Sequence, residues 1–261
     1  MPHGLRKHFM HDRGFDPIDP RNVVFVRNTG NHAINFAENF RGFVELCHDR
    51  VTDREPKNPG DPETFSKADR SDLYLEWLKG NQDTLMAVHD GHGSLLVASV
   101  ILPLKAKTYT SITTGRIDAI DIKAGHIVSK SRGGSYRRYL IDILADNWWK
   151  IDDNSIGLPI QATFFHLAYL SRSISNIYSI ACDTSREGIY EYLGEAIGFA
   201  VREGREEDAR LCQLDIANAV DNSVLNNAKK VIASYGAKEF QRAEQGVGPL
   251  RYERQIARVT F

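Results

Sequence analysis

Residues 129–140 read SKSRGGSYRRYL, and IDILADNWW follows at 141–149. The paired glycines Gly133 and Gly134 stand among four basic residues, Lys130, Arg132, Arg137 and Arg138. Beyond them Tyr136, Leu140, Ile143, Leu144 and Trp148 recur at helical spacing, with Arg138 and Asp142 as an i,i+4 pair on the other face. The pattern predicts a glycine turn opening an amphipathic helix near Ser135. A helix N-terminus offers N–H groups without intrahelical partners and a partial positive charge, and glycine lets the backbone approach a ligand. Such a turn either cradles an anion or simply joins two elements while its basic side chains stay solvated. The residues alone leave both readings open.

Upstream, GRIDAIDI (115–122) predicts a strand, kinked at 123–125 and continued by HIVSK (126–130). Before it, TLMAVHD (84–90), the turn GHG (91–93) and SLLVASVILPL (94–104) signal a hairpin. VVFV (23–26) reads as a first strand, followed by helical spacing from Asn31 to Cys47 and a short helix over 72–80. A long charged loop, 51–71, separates those two helices. Downstream come a helix at 160–174, a strand at 177–184, a short helix at 185–194 and a hairpin over 199–217. A final helix over about 221–243 and a strand-like tail, 251–261, complete the chain. Hairpins mixed with strand–helix–strand crossovers imply an α/β (α+β) fold with a mixed, mostly antiparallel sheet flanked by helices. The organisation expected is a polar arm over 1–21, a core over 22–217 and a C-terminal helix-and-strand extension over 218–261.

Composition narrows the function classes. The 261 residues are 42% hydrophobic with a net charge of −1, ordinary for a folded domain and unlike a basic nucleic-acid-coating surface. No run of eighteen apolar residues predicts a membrane span, and the basic N-terminus lacks the apolar stretch of a secretory signal. Cys47, Cys182 and Cys212 are widely spaced and form no zinc pattern, which suits a reducing cytoplasm. His89, Asp90 and His92 fall in HDGHG, where Asp-Gly is turn chemistry more than a metal cluster. Neither GxxxxGK followed by Ser or Thr nor GxGxxG after a first strand is present, so nucleoside-triphosphate and dinucleotide loops are not indicated.

A second motif, DTSREGIYEYLG (183–194), gives the glycine turn a context. Here the chain resembles the GCN5-related N-acetyltransferase (GNAT) family, whose corresponding short helix reads NxxAxxLYEKLGF. Asp183 stands at the Asn position, Ile189 at the Leu, Tyr190-Glu191 as YE and Leu193-Gly194 as LG. Arg186 replaces the small residue and Glu195 the phenylalanine. The family's fourth strand leads into a glycine turn that begins with Arg or Gln. Starting that register at Lys130 places Gly133 at the glycine and Ser135 at the final small position; starting at Ser131 places Gly134 and Tyr136 there. The order of elements over about 22–217 follows the family.

The resemblance implies acetyl-CoA or another acyl-CoA as co-substrate and no metal. It places the pyrophosphate at Arg132, Gly133, Gly134, Ser135 and Tyr136, with Asp183 and Arg186 beside the cofactor. The pantetheine arm would pair with backbone at Ile127, Val128 and Ser129, between fourth and fifth strands that splay apart beside a bulge. Tyr190 would be the general acid to the thiolate. Asp118 or Asp121, read as lying on the fourth strand, would be the base, with His126 behind them. The acceptor would be a small-molecule or peptide amine, with neither nucleic acid nor membrane as partner. Two rival readings keep the fold. One takes its acyl chain from a carrier protein, as N-acyl amino acid and acyl-homoserine lactone synthases do; the other binds without turnover. An apolar stripe at Val224, Leu225, Ala228, Val231 and Ile232 suits either the core or a homodimer interface.

Overall fold

The computed structural model describes residues 18–52, 66–129, 137–146, 158–183, 200–202, 211–216, 223–246 and 248–252. Seven strands form one sheet: β1 Val23–Phe25, β2 Leu85–His89, β3 Leu95–Pro103, β4 Arg138–Asp146, β5 Ser179–Asp183, β6 Ala200–Arg202 and β7 Leu211–Asp215. Their order is β1-β2-β3-β4-β5-β7-β6. Every neighbouring pair is antiparallel except β4 and β5, which run parallel. The described helices are α1 Phe36–Thr52, α2 Lys67–Gly80, α3 Ala106–Thr113, α4 Leu158–Ser171, α5 Ser223–Ser234 and α6 Ala237–Glu244. The sheet is therefore mixed and mostly antiparallel with helices on both faces, and α4 lies on the crossover that a parallel pair requires.

Alternation along the strands divides the core. On β1 to β3, Val23, Phe25, Met86, Val88, Val97 and Ile101 point to one face, where Phe164, Phe165 and Tyr169 of α4 meet Leu225, Ile232 and Phe240 of α5 and α6. Val24, Leu85, Ala87, Ala98, Val100 and Leu102 point to the other, against Phe43 of α1, Tyr74 and Trp77 of α2 and Tyr109 of α3. Leu225, Ala228, Val231 and Ile232, most of the expected interface stripe, are buried in the first cluster and serve as core. The predicted last helix is two helices, broken at Gly236, whose N–H is held by Glu239 Oε2 at 3.0 Å. Beyond α6 the chain returns to β3: Leu95 N–H donates to Arg251 O at 2.8 Å and Arg251 N–H to Gly93 O at 2.7 Å.

Two predicted elements are different in the structure. Residues 138–146 are strand β4, not a helix. Tyr139 and Ile141 enter one core cluster and Leu140 the other. A strand buried on both faces presents an unbroken apolar run that helical spacing also fits, so its neighbours β3 and β5 decide. The expected Arg138–Asp142 pair is lost, because strand spacing separates them by about 13 Å. The guanidinium of Arg138 instead lies over the Tyr178 ring, 4.9 Å from its centroid.

The second difference is GRIDAIDI, which is not a strand. The Asp121 carboxylate accepts from Asp118 N–H at 3.1 Å, and backbone bonds from Asp121 to Asp118 and from Ile122 to Ala119 close a 3-10 turn. Short acidic side chains compete here with ladder bonds. Helix α3, within an Ala/Lys/Thr/Ser-containing stretch, was not expected.

Candidate functional site

The site is built where β4 leaves β5. Parallel pairing runs from Arg138↔Ser179 to Ile141↔Cys182. β4 continues along β3 to the pair Val97↔Asp146, while β5 turns its remaining pairing to β7, ending at Asp183↔Leu211. Among the described residues, 142–146 of β4 thus pair on one side, over roughly 16 Å at about 3.3 Å per residue. The described pairing between the two strands ends at Ile141↔Cys182, one residue before β5 itself ends at Asp183.

A bulge sits at the point of parting. On β3, Val100 and Ile101 are consecutive; their partners on β4 are Ile143 and Ile141. Asp142 is the extra residue. Its effect is visible in the packing: Leu140 and Ala145, five positions apart, share the face covered by α1 and α2. Unbroken alternation would place them on opposite faces. A bulge bends its strand and raises the local twist, and this one falls one residue beyond the last described β4–β5 pair.

On that face Asp142 stands among buried polar groups of the helices. Arg70 of α2 is 3% exposed, and its Nη1 donates to Tyr74 Oη at 3.4 Å. Burial opposes the charge on Arg70, but Tyr74, Cys47 and Asp142 together raise its proton affinity above the ordinary value. Tyr74 is held well above the usual phenol range, chiefly by burial and then by Cys47, so its hydroxyl stays protonated. The local sequence explains the position of Arg70. Ser66 and Asp69 form a reciprocal capping box that starts α2 at Lys67, inside what reads as a loop, and this turns Arg70 and Tyr74 inward together. The guanidinium and the phenol thus meet within hydrogen-bond distance, and the Asp142 carboxylate lies near enough to act on both electrostatically.

The expected site residues are distributed differently. Asp118 and Asp121 belong to the 3-10 turn packed by α2, where Trp77 Nε1 donates to Ile122 O at 3.0 Å; the structure does not bring them to the parting strands. His126 Nδ1 accepts from Lys123 N–H at 3.1 Å in the next turn. Ile127 is buried and bridges Leu104, with its Cβ close to Gly80. Val128 donates its N–H to Pro103 O at 2.8 Å and accepts at its carbonyl from Asn81 Nδ2 at 2.9 Å, so both its backbone groups are engaged within the protein. Ser129 lines a cavity of about 290 Å³ with Arg27, Asn81 and Asp83.

Arg132, Gly133, Gly134, Ser135, Tyr136, Arg186 and Tyr190 lie outside the described residues. The glycine stretch nevertheless precedes β4, so the helix expected to follow it is a strand. Asp183 closes β5 at the parting itself. In the hairpin turn, Asp90 Oδ1 accepts from His92 and Ser94 N–H at 2.9 and 3.0 Å. No cluster able to hold a metal occurs among the described residues, and no described helix is long and apolar enough to cross a membrane. Asp142 gave no sequence signal because a bulge leaves no periodic signature, and Arg70 stood in a stretch that reads as a loop until the Ser66–Asp69 capping box is recognised.

No family model matches the sequence, and no curated protein matches it. Solved structures with a similar fold include PH1933 from Pyrococcus horikoshii OT3, at 9% identity over 74% of this chain and 96% of that one, with a TM-score of 0.47. Ard1 from Thermoplasma volcanium is 13% identical over 66% of this chain and 89% of its own, with a TM-score of 0.34. A GNAT-family acetyltransferase from Listeria monocytogenes 4b F2365 is 12% identical over 74% and 93%, with a TM-score of 0.40. In this chain a first strand, two helices, a hairpin, a bulged fourth strand, a helical crossover to a parallel fifth strand and a closing hairpin follow one another. With that order, and with the bulge on its fourth strand at the end of the parallel pairing, the chain has a GNAT-like fold.

Proposed function

We propose that the protein is an N-acyltransferase that takes an acyl group from coenzyme A and gives it to an amine. The observation that supports this most is the bulge at Asp142, where β4 runs on past the end of its pairing with β5. A bulged strand beside a parted parallel neighbour offers an extended amide-bearing arm a place to pair with backbone. The thioester supplies an electrophilic carbonyl and a thiolate leaving group. The chain's own residues hold the acceptor, take its proton and exclude water.

In this reading Asp142 replaces Asp118 and Asp121 as the base. It accepts the amine's proton, directly or through one water, as nitrogen bonds to the acyl carbon and the carbon–sulfur bond breaks. The proton that the thiolate then takes up comes from a group beyond Asp183, where Tyr190 remains the expectation. The nearby Arg70 cation favours the ionised form of the Asp142 carboxylate. The test is Asp142→Asn assayed for transfer to a panel of amines and, separately, for acetyl-CoA binding by thermal shift. Transfer should fall by about 10²–10⁴-fold, the usual contribution of a general base, while the stabilisation by acetyl-CoA persists. Undiminished transfer would remove Asp142 from this role. A wild-type protein that no acyl-CoA stabilises would remove the function itself.

A further inference from the structure

The described surface carries four exposed large apolar residues, Ile34, Leu75, Ile120 and Tyr178. Leu75 and Ile120 line one groove of about 850 Å³ along the outer side of α2, away from the parting strands. Ile34 precedes Phe36, which lines the same groove and stacks on Phe40 with ring centroids 5.3 Å apart. Ile120 is 54% exposed and Ile34 81%, so the patch holds both a depression and projecting apolar side chains. Patches that carry a hole and a knob together suit a self-complementary contact.

Charge along α2 has the same symmetry. Asp72 lines the N-terminal part of the groove, and Lys79, with Lys123, the C-terminal part. Asp72 and Lys79 are two helical turns apart, about 10 Å, on one side of the helix. No ion pair to Asp72 forms among the described residues. Lys79 reaches Glu76 at 2.9 Å but remains largely exposed, with a side-chain accessibility of 69%. A twofold axis passing near Leu75 and Glu76 and setting two α2 helices antiparallel would place each Asp72 opposite the other copy's Lys79. Leu75 would then face Leu75, and Ile120 would enter the partner's groove.

We infer that this groove is the interface of a symmetric dimer, occupied by the α2 face of a second copy of this chain. The stripe on α5 that could have served instead is spent on the core. The inference stands independently of the acyl-transfer reading.

Charge exchange tests it. Light scattering on the wild type across a dilution series into the micromolar range should give twice the 29.4 kDa chain mass. Asp72→Lys places lysine against lysine across the axis, and Lys79→Asp places aspartate against aspartate, so each variant alone should run as a monomer that keeps the wild-type circular dichroism spectrum and unfolds cooperatively. Mixed in equal amounts, the two variants restore both contacts and should recover the dimer. A wild type that stays monomeric overturns the proposal and leaves the groove to an apolar segment of another protein. A dimer that survives in both single variants also overturns it, because its interface lies elsewhere. Single variants that dissociate but fail to recover on mixing refute the antiparallel pairing.

Discussion

His166 makes the stability of this fold sensitive to mild acid. It lies on α4, fully buried, with Nε2 2.8 Å from Asp83 O and Nδ1 3.0 Å from Ser99 Oγ. The carbonyl can only accept, so Nε2 carries the proton and Nδ1 accepts from the serine hydroxyl. A second ring proton has no partner there. Burial, as the dominant cause, pushes the imidazole from 6.5 down to about 4, with the Arg27 charge acting in the same direction. The folded state therefore binds this proton more weakly than the unfolded chain. Stability is full above the unfolded value of 6.5, declines as the pH falls below it, and is lost by about pH 4. Integrating the linkage relation between pH 7 and pH 5 gives a loss of about 2 kcal/mol. For a chain of this size that is a fall in Tm of roughly 4–8 °C.

His32 and His89 are also lowered, each chiefly by burial, and add to the same trend, so the informative quantity is a difference. His166→Gln keeps a donor for Asp83 O and an acceptor for Ser99 and does not titrate. Urea unfolding across this range should show a pH dependence about 2 kcal/mol weaker in the variant than in the wild type. Parallel curves would refute the assignment of the neutral, doubly bonded imidazole.

Other consequences follow from the junction of the C-terminal helices with β1. Arg27 Nη2 lies 2.6 Å from Asp83 Oδ1 and 2.7 Å from Tyr169 Oη, while Nη1 pairs with Glu244 of α6. Arg27→Met removes the cation from a buried carboxylate and should destabilise the fold by about 3–5 kcal/mol in urea unfolding; a loss below about 1 kcal/mol would contradict the pairing. Gly246 ends α6 with no room for a side chain, since an added Cβ would stand 2.3 Å from Val23 O. Gly246→Ala should destabilise by about 1–3 kcal/mol, and limited proteolysis should then cut after α6 before it cuts the sheet. Wild-type resistance in that variant would show that the contact yields freely.

The architecture was legible where one face of an element is polar or where a turn is chemically marked. The hairpin around HDGHG is an example, with Asp90 caging its own turn. Helix α4 and strand β5 were also clear from the sequence, because their runs are bounded by Ser, Asn and Pro. The reading failed at the centre of the sheet. RYLIDILAD is buried on both faces, so it lacks the alternation that identifies a strand, and its bulge destroys what alternation remains. GRIDAIDI failed for the opposite reason: its alternation is good, but its aspartates prefer their own backbone to a neighbouring strand. The two errors moved the fourth strand by one element, so Asp118 and Asp121 lie on a 3-10 turn and Asp142 on the strand. The part of the resemblance that places a glycine turn after the fourth strand is not met, since 133–134 precede β4, whereas the order of strands and helices holds and the stretch after β5 lies outside the described residues.

Hydrogen exchange along β4, with and without acetyl-CoA, tests the central claim most directly. Saturating acetyl-CoA should slow exchange at the amides of residues 142–146 and at the end of β5, with little change at 126–129, where Val128 is already bonded within the protein. Protection confined to 126–129, or none along β4 despite saturation, would contradict the placement of the acyl-CoA cleft between the parted strands.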